Sequence, residues 1–345
     1  MNLKQIRLYE KAIIRKRRRR KRIEKVHNAQ KRKKHTPYVK SMTANRYTSY
    51  GRPYAVVAPA DFSIDNIEHV ISFLSEVDQK CRQQKVKLLK VDLAHVKKID
   101  EYSISLLLSL LNRLSCKKIH YWGTYPEDFA CKQFIIGSGF LDIMQTNIQR
   151  PSSQNNGNQM FMVGKNCVDS KRIGRAVKES MVHIVGEECV YPPLYDNLLE
   201  ISANSVEHAN TIAVEKNWLI SITKNNDKLH FILTDTGFGI LATIKKKIIQ
   251  ELNDTFLRNK AEILRNVFLK LYQSVTGEMN RHKGLPIIYE SFTEGYISDL
   301  QVLTNEVFYN FTDNSYRIFK KGFKGVLYSW SITIDNYNNW IKSLQ

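Results

Sequence analysis

Strand-like and helix-like patterns alternate along the chain from Tyr54 to about Met144. The runs YAVVAP, LLKVDLA and KIHYWG are short and rich in apolar or β-favouring residues, as strands are. Between them, NIEHVISFLSEVDQKCRQQ and SISLLLSLLNRL carry apolar residues at helical spacing. This alternation predicts a small α/β domain over residues 50–148, with a sheet covered by helices.

A second region follows the polar, turn-rich stretch RPSSQNNGNQ. It begins with two helical patterns, SKRIGRAVKESMVHIV and DNLLEISANSVEHAN. A predicted hairpin follows and turns at Asn225–Asp227. Helical periodicity then returns over Ile244–Gln273. Four strand-like stretches come last: YISDLQVLTN, EVFYNFT, SYRIFKK and VLYSWSITID. The order predicts an α+β sandwich over residues 160–342, one sheet with helices on one face.

A polar stripe runs along the predicted helix that contains LLEISANSVEHAN. Glu200, Asn204 and His208 are each four residues apart, so they advance only about 40° per step around a helix. A carboxylate, a carboxamide and an imidazole in line can hold a metal-bound phosphate. They are also what a solvated helix face presents.

Two glycine-containing segments follow that helix in the chain. Asp235 to Ile240, DTGFGI, comes directly after a predicted strand, and Gly237 and Gly239 permit backbone conformations that a side chain would block. Ser274 to Pro286, SVTGEMNRHKGLP, places glycines and basic residues before an apolar helix start, where backbone amides suit phosphate. Taken singly, the first segment is also a plain turn and the second a solvated loop that caps a helix.

Charge divides the chain unevenly. Residues 1–40 contain 17 lysines and arginines against Glu10 and Glu24, so they hold +15 of the formal net charge of +20. Such a run resists folding alone and favours binding to a polyanion. Nucleic acid is the preferred candidate partner, and an anionic membrane surface is the second. A tail that only increases solubility is the alternative.

The cysteines and the hydropathy pattern bear on the compartment. The five cysteines never form CxxC, as is usual for reduced thiols without a zinc framework. No apolar run approaches the length of a membrane span, and no signal peptide is predicted. These features favour a cytoplasmic protein.

The order of these parts resembles that of the GHKL (histidine-kinase-like) ATPase family. A helix with E-x-x-x-N-x-x-x-H, a strand ending in D-x-G-x-G, a helical lid and a glycine turn entering a helix follow one another over about residues 160–340. The helix with Glu, Asn and His at this spacing is similar to that of the anti-sigma-factor serine kinase branch. The resemblance implies an α/β sandwich with a mixed sheet and helices on one face.

The resemblance also implies ATP and Mg²⁺ as ligands, with roles for particular residues. Asn204 would coordinate Mg²⁺, Glu200 would act as general base near the γ-phosphate, and Asp235 would bind the adenine amino group. Gly237 and Gly239 would shape the pocket floor and the hinge of the lid.

The glycine turn would take the phosphates. Gly284 and Leu285 would present backbone amides to them, and Lys283 would add positive charge. Two positions depart from the family pattern: His282 stands where a second glycine is usual, and Gly325–Val326 stands where the last strand often carries Gly-Thr.

The first region resembles the STAS (anti-sigma-factor antagonist) domain around VDLAHVKKIDEYSISLLLSLL. There an Asp-Ser-Ser-Gly turn opens a helix, and one serine accepts phosphate from a partner kinase. Asp100 matches the aspartate, but Glu101 and Tyr102 follow it, and Ser103 is the nearest serine, shifted by one position. The resemblance implies a docking or regulatory module with Asp100 and Ser103 as candidate regulatory residues; a plain α/β domain is the alternative.

Together these features predict an ATP-binding regulatory protein with slow ATP hydrolysis or serine/threonine kinase activity, coupled to a regulatory protein partner. The alternative is a non-catalytic, ATP-gated binding protein whose basic tail contacts nucleic acid. No dimerisation helix with a candidate phosphoacceptor histidine precedes the second region, which disfavours a histidine kinase.

Overall fold

The computed structural model describes residues 53–83, 86–116, 118–144, 159–165, 167–208, 217–235, 237–243, 260–269 and 284–345. The basic tail, most of the segment from Ile244 to Gln273, the polar linker and Lys283 lie outside these residues. Helices and sheets are interleaved along the described chain, so the fold is mixed α/β.

The first region contains a three-stranded parallel sheet in the order β1-β3-β5, as alternating strands and helices predict. A short 3-10 turn, Ile64–Asn66, precedes the first helix, and two-residue strands β2 and β4 pair beside the main sheet. In chain order the elements are β1 Tyr54–Val57, β2 Asp61–Phe62, α1 Ile67–Gln83, β3 Leu88–Asp92, β4 Lys98–Ile99, α2 Glu101–Cys116, β5 His120–Gly123, α3 Phe129–Gly137 and α4 Phe140–Met144.

The second region is built on a five-stranded sheet in the order β6-β7-β8-β10-β9. In chain order its elements are β6 Gln159–Lys165, α5 Ser170–Val185, α6 Pro192–His208, β7 Asn217–Asn225, β8 Lys228–Asp235, α7 Lys260–Phe268, α8 Gly284–Thr293, β9 Ser298–Asn310, β10 Ser315–Ile332 and α9 Ile334–Leu344. Residues 240–243 are also helical. The predicted hairpin is confirmed, because β7 ends at Asn225 and β8 begins at Lys228.

Two details of the prediction for this sheet are wrong. Every neighbouring pair of its described strands is antiparallel, so the sheet is not mixed. Hairpins join β7 to β8 and β9 to β10, and a pair of helices returns the chain from β6 to β7, which together give this arrangement. The four late strand-like stretches form only two long strands, because irregularities near Asn305 and Gly322–Gly325 bend β9 and β10 without ending them.

The two faces of the sheet are covered by helices of different regions. Helices α5, α6, α7 and α8 cover one face, which we call the inner face, through residues such as Ile173, Leu198 and Leu264. Helices α1 and α2 of the first region cover the other, outer face. The second region's own helices therefore lie on one face, as the sequence predicts, and helices of the first region cover the other.

A shared hydrophobic core joins the two regions across the outer face. Seven buried side chains of the large sheet pack with the core of the first region: Leu219, Ile232, Leu303, Phe308, Phe319, Phe323 and Leu327. Along β8 the side chains alternate, with Leu229, Phe231 and Leu233 in the inner core and Ile232 in the outer one. This alternation explains why the strand reads as a continuous apolar run: both of its faces are buried.

Candidate functional site

Asp235 lies at the carboxyl end of β8 and is 8% exposed. Its Oδ1 accepts hydrogen bonds from the backbone amides of Gly237 at 2.8 Å and Val326 at 3.1 Å. Its Oδ2 accepts a longer bond, 3.4 Å, from the hydroxyl of Ser205. One oxygen thus fixes the turn that follows the strand, while the other retains capacity to accept a further hydrogen bond.

Burial dominates the electrostatics of this carboxyl group. Desolvation raises the pKa of Asp235 to about 6, against hydrogen bonds from Gly237, Val326 and Ser205 that lower it. Burial also raises the pKa of the Tyr328 hydroxyl well above its usual value, and the nearby Asp235 charge adds to that shift. Perturbed acids of this kind are common at functional sites.

The polar stripe of α6 reaches this end of the sheet through Ser205. Because Ser205 contacts Asp235, the preceding residue, Asn204, lies on the helix turn beside the end of β8. Asn204 is half-buried, and Glu200 one turn earlier is 5% exposed. At Glu200 and Asn204 the stripe is therefore not the solvated helix face that its polarity alone allows. His208 is the last residue of α6.

The segment after Asp235 is held against β9. Gly239 has φ +87°, and a Cβ there would lie 2.4 Å from Asn305 Oδ1, so the position requires glycine. Asn305 donates to the Phe238 carbonyl at 2.9 Å and accepts from the Ala242 amide at 3.2 Å, while the Ile240 amide donates to Thr304 Oγ1 at 2.8 Å. These bonds fix the start of the predicted lid.

Helix α8, which begins at Gly284, runs antiparallel to α6. The Tyr191 hydroxyl, just before α6, donates to the carbonyl of Tyr296 after the end of α8 at 2.5 Å. Further along, Ser291 Oγ donates to Asn197 Oδ1 at 3.2 Å.

The same register predicts that two of the proposed site residues lie near each other. Seven residues beyond Asn197 on α6 is Asn204, and seven residues before Ser291 on α8 is Gly284. The N-terminus of α8 is thus expected opposite Asn204. Leu285 is 8% exposed and belongs to the inner core, so its side chain anchors this helix start. Lys283 lies outside the described residues.

Gly325 and Val326 complete the end of the strand pair. Gly325 has φ +126°, and a Cβ there would lie 2.1 Å from the Asp235 carbonyl oxygen, so only glycine allows this approach. The sequence marks Gly325–Val326 only as a departure from the family pattern. The Val326 amide nonetheless holds Asp235, a backbone contact that carries no signal in the side-chain pattern.

Helix α2 of the first region supports Asp235 from behind. Ser109 Oγ donates to the Asp235 carbonyl at 3.3 Å across the outer face. The side chains of Ser105 and Ser109 are buried and small, which lets the helix approach the sheet closely. The two regions therefore meet directly beneath the candidate site.

Asp100 and Ser103, the candidate regulatory residues, form the start of α2. Asp100 Oδ1 accepts from the Ser103 amide at 2.9 Å, and Asp100 Oδ2 accepts from the Ile64 amide at 2.6 Å. Ser103 is 1% exposed and its hydroxyl donates to the Asp100 carbonyl at 3.0 Å. Burial raises the pKa of Asp100, against these hydrogen bonds. Phosphorylation of Ser103 would require this helix start to open.

The two residues between them dock onto the large sheet. Glu101 Oε1 lies 3.0 Å from His230 Nδ1, and the Tyr102 hydroxyl lies 2.7 Å from Ser329 Oγ and donates to Gln301 Oε1 at 3.2 Å. The positions that depart from the STAS pattern are thus the ones that contact the second region. The sequence held no signal for this pairing, since the partners are over 100 residues apart.

Comparisons with known proteins add no family. No protein-family model matches the chain, and no curated protein matches it.

Within the described ranges, no group of three or more His, Cys, Asp or Glu side chains is placed to hold a metal ion. Among the described helices, none has the length and apolar composition needed to cross a membrane.

Proposed function

We propose that residues 160–342 form a nucleotide-binding domain of the GHKL kind that takes ATP with Mg²⁺. The observation that carries the proposal is that the Asn204 turn of α6, through Ser205, and the glycine segment after β8, through Gly237, both hydrogen-bond to Asp235 at one end of the large sheet. Asp235 and Gly237 share a hydrogen bond, Ser205 joins the Asn204 turn of α6 to Asp235, and the α6–α8 register directs Gly284 toward Asn204.

Asp235 is the proposed adenine ligand. An exocyclic amine needs a hydrogen-bond acceptor, and Oδ2 has only the 3.4 Å contact with Ser205 among the described residues. Because Oδ1 is held by two backbone amides, the carboxylate is oriented before any ligand arrives. Such pre-organisation favours affinity.

The residues at the other end of the proposed site suit a metal-bound triphosphate. The Asn204 amide oxygen is a hard ligand for Mg²⁺, which usually takes few protein ligands and several phosphate or water oxygens. The first amides of α8 at Gly284 and Leu285 would hold phosphate oxygens, with Lys283 adding charge. When bound, Mg²⁺ would neutralise the phosphates and draw charge toward the leaving group.

Glu200 is the proposed general base. It lies one helical turn before Asn204, so a base there would face the γ-phosphate and accept the proton of water or of a protein hydroxyl. The reaction is either slow hydrolysis of ATP or phosphotransfer to a serine or threonine of a regulatory partner. In this proposal the STAS-like region acts on the ATP site in cis, supported by the contact between Ser109 and Asp235.

A second candidate is an ATP-gated binding protein without turnover. It is favoured by the burial of Glu200, which at 5% exposure has little access to solvent or to a partner hydroxyl. ATP would then act only as a ligand that changes partner contacts.

The test is ATP binding by an Asp235→Asn variant. Asparagine keeps an oxygen for the amides of Gly237 and Val326, so the fold is retained, but it can present a donor to the adenine amine. We expect Mg²⁺-ATP affinity to fall by about 1.5–3 kcal/mol. Asp227→Asn, in the exposed β7–β8 turn, is the matched control. Wild-type affinity in a folded Asp235→Asn protein would remove the assignment.

A further inference from the structure

The first half of β10 extends beyond most of the large sheet. It pairs with β9 from Ser315 onward, whereas its pairing with β8 begins only at Leu327. We call residues 315–324 the basic arm. Among the described strands, the edge of the arm opposite β9 has no neighbour.

The basic arm carries four cations and no acid. Arg317, Lys320, Lys321 and Lys324 are all exposed. Within the described part of the chain, no carboxylate lies in ion-pair range of the first three, and Lys324 Nζ lies 3.5 Å from Asp78. The arm therefore presents concentrated positive charge to solvent.

The neighbouring helix does not neutralise that charge. Acidic residues on and before α1 face the arm, but each already has a basic partner of its own. Asp65 pairs with Lys98, Glu76 with Lys80 at 2.7 Å, and Asp78 with Arg82 and, at 3.2 Å, with Arg113. The arm's cations are in excess over the acids beside them.

Apolar and aromatic side chains alternate with these cations. Tyr316 is 48% exposed and stacks on Tyr309 with ring centroids 6.2 Å apart and planes 14° from parallel. Ile318 is 50% exposed, and the Arg317 guanidinium lies 5.0 Å above the Phe308 ring. Tyr316, opposite Tyr309, and Arg317, opposite Phe308, point to the two faces of the strand, so the aromatic ring and this cation flank the arm on its two sides. A supported aromatic ring on a strand that also carries cations can hold an unpaired base and the phosphates beside it.

We propose that the basic arm is a binding surface for single-stranded nucleic acid, independent of the ATP site and additional to the tail. The phosphate backbone would run along the arm within reach of Arg317, Lys320, Lys321 and Lys324, and one base would stack on Tyr316 on the inner face. From Arg317 to Lys324 the strand spans about 23 Å, enough for several nucleotides. Charge complementarity selects a polyanion, and the exposed aromatic face selects one with unpaired bases.

The test measures how binding to a single-stranded oligonucleotide of about 16 nucleotides depends on salt. The full chain is compared with the arm variant Arg317→Gln/Lys320→Gln/Lys321→Gln. The matched control, Lys171→Gln/Arg175→Gln/Lys178→Gln, removes the same charge from exposed positions of α5. Circular dichroism establishes that both variants are folded.

We expect the slope of log affinity against log salt to fall by about 2 in the arm variant, or about 0.7 per lost contact. The control should keep the wild-type slope, because its cations lie elsewhere. A slope equal to the control's would overturn the proposal and leave the lysines as protection of a strand edge against aggregation. Absence of binding by the full chain would overturn it as well.

A second substitution tests for unpaired bases. Tyr316→Ala should weaken binding of the single strand about ten-fold and leave a duplex of the same sequence unaffected. Tyr125→Ala removes another exposed tyrosine, 42% exposed, and should change neither. If the arm variant instead loses binding only to vesicles containing an anionic lipid, the surface recognises a membrane and the proposal fails.

Discussion

Replacing Tyr102 with phenylalanine tests whether the two regions are held as one folded unit. The tyrosine hydroxyl is removed from a buried polar cluster on the outer face without changing the ring. Its oxygen lies 2.7 Å from Ser329 Oγ, 3.1 Å from His230 Nε2 and 3.2 Å from Gln301 Oε1. Burial raises the pKa of this hydroxyl, so it remains protonated across the usual range.

The expected magnitude follows from what remains after the substitution. Ser329 and His230 stay bonded to each other at 2.8 Å, so neither is left without a partner. The loss is therefore one to two net hydrogen bonds, at about 0.5–1.5 kcal/mol each. We expect the free energy of unfolding to fall by about 0.5–3 kcal/mol.

Urea unfolding followed by tryptophan fluorescence and circular dichroism measures this quantity. Because the large sheet and the first region share a core, the two signals should shift together in Tyr102→Phe. Tyr125→Phe, at an exposed tyrosine of the first region, should stay within about 0.5 kcal/mol of wild type. A Tyr102→Phe protein as stable as that control, or two transitions of which only one moves, would refute the shared-unit interpretation.

Three further predictions concern charge and catalysis. Asn204→Ala should lower Mg²⁺-dependent ATP affinity and ATP turnover together. Glu200→Gln should keep the ATP affinity and slow turnover about 10²–10⁴-fold. Steady-state turnover at the wild-type rate in Glu200→Gln would favour the ATP-gated alternative. Arg113→Met leaves Asp78, 3% exposed, without its most buried ion-pair partner. The free energy of unfolding, measured in urea, should fall by about 3–5 kcal/mol. A loss below about 1 kcal/mol would show that Arg82 and Lys324 suffice to neutralise Asp78. Because the pKa of Asp235 is raised in the folded state, the protonated side chain stabilises the fold. This contribution to the free energy of unfolding is fully present below the ordinary pKa of 3.8 and is lost as pH rises through about 6. Relative to Asp235→Asn, wild type should lose up to about 3 kcal/mol of unfolding free energy over that range, and a flat difference between the two would contradict the shift.

Local patterns predicted most of the elements, because each element's own residues determine them. The helix over Glu101–Cys116 and the hairpin closed at Asn226–Asp227 follow from apolar spacing and turn chemistry. The pattern predicts four strands where the structure has two, because the irregularities near Asn305 and Gly322–Gly325 interrupt the alternation in the same way as a loop does. The spacing of apolar residues alone does not distinguish a bend within a strand from the end of a strand.

The candidate site was predictable only as far as side chains carry it. Spacing, residue type and the family resemblance select Asp235 and Asn204 as candidates. Val326 and Gly325 instead act through backbone groups of a strand that is adjacent in the sheet but far away in the sequence. The cover on the outer face was missed for a related reason. Tyr102 sits in a predicted helix start, and nothing near it in sequence indicates Ser329 as its partner.

The long sequence separation between Tyr102 and Ser329 also affects how the chain folds during synthesis. The face of α2 that will meet the large sheet is complete when Tyr102 and Ser109 have been made, but Ser329 follows 227 residues after Tyr102. At about 5–20 residues per second, that interval is roughly 10–45 s, in which the apolar and hydroxyl-bearing side of the helix has no sheet to cover it. Contacts of such long range also slow folding once the chain is complete. The nascent protein is thus most exposed to aggregation before β10 leaves the ribosome, and chaperone dependence should be concentrated in that period.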